Sequence, residues 1–162
     1  MMRTVLMIFI LLMLNAGISA QPYDNSVGIR AGYSSGLIFK HFMDRSFAIE
    51  ALAVYNNRGF QLSGLYEYQF SPYNKERLQY YFGGGVHAGN WSKLEDLQPG
   101  QVITRDPAVG IAGVAGAEFI FRKAPVILGL QWKPMLNIYK EFDFVLPDIG
   151  MTLTVVPVSY TH

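Results

Sequence analysis

Phe60-Gln61-Leu62-Ser63-Gly64-Leu65-Tyr66-Glu67-Tyr68-Gln69-Phe70 decides how this chain is read. Phe60, Leu62, Gly64, Tyr66, Tyr68 and Phe70 share one parity, and Gln61, Ser63, Leu65, Glu67 and Gln69 share the other. A β-strand points successive side chains to opposite faces, so the segment has one greasy face and one polar face. A soluble sheet buries the greasy face and wets the polar one. A barrel that spans a bilayer shows the greasy face to lipid and turns the polar one into its lumen.

The start of the chain bears on that choice. Arg3 gives a positive n-region, Val5 to Leu14 an apolar core, and Ala16-Gly17-Ile18-Ser19-Ala20 the small residues of a cleavage site. Residues 1–20 therefore read as a secretory signal cleaved after Ala20, with a single barrel domain over residues 21–162. The apolar run is too short to span a bilayer as a helix, and no later segment offers the roughly 20 apolar residues that a spanning helix needs. Without Arg3 the chain carries 12 basic and 12 acidic residues, so no basic excess points to nucleic acid. There is no cysteine, which excludes disulfides and thiolate metal sites, and three scattered histidines do not make a zinc site. No cofactor is expected. Hydrophobic content is 51%, yet the apolar residues are spread in alternation and not gathered in runs.

Eight strand-like runs follow, divided by turn residues. They are Ser26 to Tyr33, Leu37 to Met43, Ser46 to Tyr55, Phe60 to Phe70, Leu78 to Trp91, Ala108 to Phe121, Val126 to Met135, and Asp148 to Val156 with an extension toward Tyr160. A long polar loop is expected from Ser92 to Pro107 and another near Asn137 to Pro147. The fold class is thus all-β, an eight-stranded antiparallel up-and-down transmembrane β-barrel. An even strand number puts both termini on one side, the periplasm. The turns at Asp44-Arg45, Ser71 to Arg77 and Arg122 to Pro125 then join them there. With that orientation Phe47, Tyr68, Phe70, Tyr80, Phe82, Phe119 and Phe121 face outward near the periplasmic rim as an aromatic girdle, and Tyr55 and Trp132 serve the outer rim.

The charged residues inside the runs are the candidate site. Arg30, Lys40, Glu50 and Glu67 take the lumen face of runs one to four at a common depth, with Glu118 at a comparable level and His87 and Lys133 further along their strands. Three positive and three negative groups balance, and buried charges must pair. Lys40 is expected to meet Glu50 on the adjacent strand, and Arg30 to reach a carboxylate across the bore. The interior of an eight-stranded barrel is just wide enough for side chains to fill it. His87 is the best catalytic candidate by residue type. No serine stands two positions away on its strand, and Ser63 on another run is the nearest partner to consider. His41 reads as a rim residue. Residues 92–107, with mixed charge around Pro99-Gly100, form a solvated loop where a surface partner would bind.

Several pieces carry a family resemblance: Val27-Gly28-Ile29-Arg30-Ala31-Gly32, Gly64-Leu65-Tyr66-Glu67, Tyr80-Tyr81-Phe82-Gly83-Gly84-Gly85-Val86-His87, Gly116-Ala117-Glu118-Phe119, Gln131-Trp132-Lys133-Pro134 and Ser159-Tyr160-Thr161. In this order they resemble the small eight-stranded outer-membrane β-barrel proteins of Gram-negative envelopes. The resemblance implies an outer-membrane location, contact with outer-membrane lipid and handling by the barrel-assembly machinery, and no activity. Such barrels usually end in an aromatic residue, where this chain ends in His162. The expected function is a barrel with a filled polar lumen and a structural or surface-interaction role, passing no large solutes. The alternatives are a lipid-modifying outer-membrane enzyme using His87, and a secreted lipocalin-like barrel, which would need an apolar interior.

Overall fold

The computed structural model describes residues 25–44, 46–57, 59–72, 77–92, 105–121, 124–139 and 142–156. The expected export signal, the tip of the loop after the fifth run and the chain beyond Val156 lie outside them. The described residues form ten β-strands: β1 Asn25–Gly32, β2 Ser35–Phe42, β3 Phe47–Asn56, β4 Gly59–Phe70, β5 Leu78–Ser92, β6 Arg105–Ile120, β7 Val126–Trp132, β8 Met135–Asn137, β9 Asp143–Val145 and β10 Ile149–Val155. Their β-branched and aromatic residues suit a pleated, two-faced surface.

These strands make eight staves of a closed barrel. Each strand from β1 to β6 pairs antiparallel with the next, β6 pairs with β7 and β8, and β7 pairs with β10. Closure comes from β10 pairing with β1, from Val27 opposite Val155 to Gly32 opposite Gly150. The fold is an up-and-down antiparallel eight-stave β-barrel, and closure removes the free edges of an open sheet.

The count of ten arises because the last two staves are each interrupted. β7 continues as β8 across Lys133-Pro134, and β9 continues as β10 across Leu146-Pro147-Asp148. Proline has no N–H to give a ladder, so each break falls at a proline. The expected loop from Asn137 to Pro147 is accordingly shorter, because β8 and β9 pair within it, Met135 with Val145 and Asn137 with Asp143. The sixth stave likewise starts at Arg105 and not at Ala108. Short turns are tied locally. Asp44 Oδ1 accepts from the N–H groups of Ser46 at 2.6 Å and Phe47 at 2.9 Å. Gly59 has φ 142°, a backbone conformation that suits glycine, and its N–H reaches Asn56 Oδ1 at 3.1 Å.

Alternation now has a physical address. Along β4, Gln61, Ser63, Leu65, Glu67 and Gln69 are buried, while Phe60, Leu62, Gly64, Tyr66, Tyr68 and Phe70 are exposed. The barrel therefore has a greasy outside and a charged inside. Leu37 is 65% exposed on the outer face and Val86 63%, whereas Arg30, Lys40, Lys133, Glu50 and Glu67 are all 2% exposed or less. The interior also holds an apolar cluster that includes Leu52, Leu65, Val114 and Met135.

Candidate functional site

The interior charges form two groups joined by a glutamine. The first is centred on Lys40. Its register partner is Glu50, whose Oε2 lies 3.4 Å from Nζ. Glu67 Oε2 is nearer, at 3.0 Å, and Lys40 Nζ donates to Glu118 Oε1 at 2.6 Å. The same ammonium sits 4.3 Å from the centre of the Tyr81 ring. One cation thus holds three carboxylates that come from three other strands, and the ring adds a cation–π contact.

The second group is centred on Asp148. Arg30 donates through one guanidinium nitrogen to Asp148 Oδ1 at 2.8 Å and through another to the Asp148 carbonyl at 3.1 Å. The Ser34 hydroxyl donates toward both Asp148 oxygens, at 2.8 and 2.9 Å, and Arg30 also contacts the Ser34 hydroxyl and its carbonyl. Lys133 Nζ lies 3.5 Å from Asp148 Oδ2. Gln131 connects the groups: Arg30 Nε donates to its Oε1 at 2.9 Å, and its Nε2 donates to Glu50 Oε1 at 2.8 Å. A chain of charge-assisted contacts therefore runs from Lys133 through Asp148, Arg30, Gln131, Glu50 and Lys40 to Glu67 and Glu118.

All seven sequence-derived interior residues, Arg30, Lys40, Glu50, Glu67, His87, Glu118 and Lys133, are buried on the inner face. Two expected relationships differ. Arg30 is not level with Lys40, because β1 and β2 pair Arg30 with Gly36 and Ser26 with Lys40. Its carboxylate partner is Asp148, on the stave that closes the barrel against β1, and not a glutamate of the Lys40 group. His87 is not an ion-pair member. It stacks on Trp91, with ring centres 5.9 Å apart and planes 9° apart. Ser63 and His87 are direct register partners, but the Ser63 hydroxyl accepts from Gln61 Nε2 at 3.1 Å. Among the described residues no cluster of three or more histidines, aspartates or glutamates is arranged to hold a metal. His41 is exposed, with Nδ1 2.8 Å from Asn25 Oδ1.

Asp148, Gln131 and Ser34 are the residues that sequence reading missed. Two of them carried a signal. Asp148 shares parity with Thr152 and Thr154, and Gln131 with Lys133, so both belong to polar faces already visible. With Asp148 the buried set becomes three cations and four carboxylates among the described residues.

The seven aromatics of the expected girdle lie at the barrel end that carries the β2–β3 turn, while Tyr55 and Phe60 are exposed at the opposite end. Phe47, Tyr68, Phe70, Tyr80 and Phe82 form a connected cluster, with Phe47–Tyr68 ring centres 5.3 Å apart and Tyr68–Phe82 5.7 Å apart. Phe119 and Phe121 make a second contact at 5.1 Å. Trp132 also points outward, but its stave continues past it to Asn137, so it lies below the far rim.

The barrel resembles a solved one. It is similar to the crystal structure of the N-terminal β-barrel domain of Pseudomonas aeruginosa OprF, with a TM-score of 0.61 and 12% sequence identity. The match covers 83% of this chain and 98% of that domain. At this identity the likeness shows the fold. No family model matches the sequence, and no curated protein matches it.

Proposed function

We propose that the mature chain is an integral outer-membrane β-barrel protein with a structural or surface-interaction role. The observation that carries this reading is the inversion of faces: arginine, lysine and glutamate are sealed inside while leucine, valine and aromatic side chains cover the outside. In water that outer surface would be a large contiguous apolar patch, which soluble monomers avoid. In a bilayer it is the solvated face, and the closed ladder satisfies the backbone groups that lipid cannot. The aromatic cluster at the end bearing the β2–β3 turn supplies one interfacial girdle. Export by residues 1–20 and insertion by the barrel-assembly machinery belong to the same proposal.

The lumen supports a filled, non-porin reading. Two ionic groups, Gln131 and the apolar cluster around Leu52 and Leu65 occupy the bore, so large solutes have no path. The paired charges hold the staves in register.

The experiment is membrane fractionation followed by electrophoresis with and without boiling. The mature chain is expected in the outer-membrane fraction, migrating faster unboiled than boiled. Recovery as a soluble periplasmic protein without detergent overturns the reading.

A further inference from the structure

The eighth stave changes parity partway along its length. In β9 the odd residue Val145 faces inward and Phe144 faces outward, while in β10 Gly150, Thr152 and Thr154 face inward and Met151 outward. Register shows where the change occurs. Met135 pairs with Val145 above the break, and the backbone N–H of Lys133 donates to the Asp148 carbonyl below it, at 2.8 Å. Two residues, Leu146 and Pro147, therefore stand opposite the single residue Pro134, which is a β-bulge. The bulge takes Leu146 out of the ladder. Its carbonyl is capped from outside by the Trp132 indole N–H at 2.7 Å. From inside, the residue after the bulge is gripped by Arg30, Ser34 and Lys133.

We propose that this grip fixes the position of the bulge: Arg30, Ser34 and Lys133 act as positioning residues that hold residue 148 inside the barrel, and so set where along the last stave the faces exchange. The competing arrangement places the bulge two residues lower, at residues 148–149. Val145 and the β10 residues below would keep their faces, but residue 148 would turn outward. A one-residue displacement in a strand always exchanges faces. For aspartate the outward position costs the ionic contacts and sets a carboxylate on the apolar wall. For an uncharged residue neither cost exists. Pro147 tolerates a bulge because it has no N–H to lose; in this account it permits the irregularity, and Asp148 chooses its place.

The test rests on the membrane reading above and uses the absence of native cysteine. Single cysteines are placed by D148C, by M151C as an outward control and by T152C as an inward control. Each protein is reconstituted in phospholipid vesicles and exposed to a lipid-soluble maleimide. D148C is expected to label as M151C does. Labelling at the low level of T152C overturns the proposal, because Pro147 alone would then place the bulge. If D148C does not fold, R30M/D148C removes the stranded guanidinium and is read by the same two outcomes. Failure of the M151C control to label contradicts the membrane reading instead, so the two failures are distinguishable.

Discussion

Lys40 and Glu50 stand directly opposite one another on adjacent strands, yet the Lys40 ammonium lies closer to Glu118, at 2.6 Å against 3.4 Å. The ammonium leans across the bore, away from its ladder partner, and Glu50 is held instead by the Gln131 amide. A neighbour in register is thus one of several partners in a narrow barrel, where long side chains from distant strands meet at the axis.

That arrangement orders the effects of mutation. K40M leaves three carboxylates facing each other without a cation and is expected to cost about 3–5 kcal/mol. E50Q removes one of three carboxylates and keeps its Gln131 contact, so it should cost less than K40M. The K40M/E118Q double variant should cost less than the sum of the two single changes. Urea unfolding in detergent micelles measures all of these. A neutral K40M, or simple additivity with E118Q, contradicts a direct contact.

Small residues on the inner wall make room for large ones. A Cβ at Gly150 would stand 2.7 Å from Arg30 Cζ, whereas a Cβ at Gly64, on the outer wall, would meet nothing within 4 Å. G150A should therefore destabilise the barrel by about 1–3 kcal/mol through overpacking. G64A should be close to neutral. Equal effects of the two in the same unfolding assay contradict the packing described.

The outer face makes its own demand. Leu62, Tyr66, Ile111 and Leu128 all point outward. Arginine at Leu62 or Ile111, near mid-barrel, should cost about 2–4 kcal/mol in a bilayer. At the buried inner position Ser63, the polar change S63N should be better tolerated. Folding yield into lipid vesicles is the measurement, and harmless L62R and I111R variants contradict the assigned faces.

Much of this was legible in sequence because a barrel wall sorts side chains by parity alone. Phe60 to Phe70 read correctly residue by residue, since β4 is regular and its two faces meet opposite environments. Depth was less legible. Arg30 and Lys40 looked level because each run was judged from its own ends, but barrel strands are staggered against their neighbours by an amount that no single run records. The last stave was legible only below Asp148. The bulge at Leu146-Pro147 breaks the period of two, so the inward residue above it, Val145, is odd while the inward residues below it, Thr152 and Thr154, are even. The inner face was also less polar than alternation implies. Leu65 already stood among Ser63 and Glu67 in the deciding segment, and it packs with Leu52 and Val114 in the interior.

The two tryptophans give the most direct test of the central claim, because the chain has only these two and they lie on opposite sides of the wall. Trp91 is 7% exposed and faces inward, and Trp132 is 41% exposed and faces outward. W91F leaves Trp132 as the sole emitter, and W132F leaves Trp91. Each variant is folded into vesicles of bromine-labelled phospholipid, and its fluorescence is compared with that in unlabelled lipid. Strong quenching of Trp132 with little quenching of Trp91 is the expected result. Unquenched Trp132, or equal quenching of both, contradicts a lipid-spanning barrel whose greasy face is its outside.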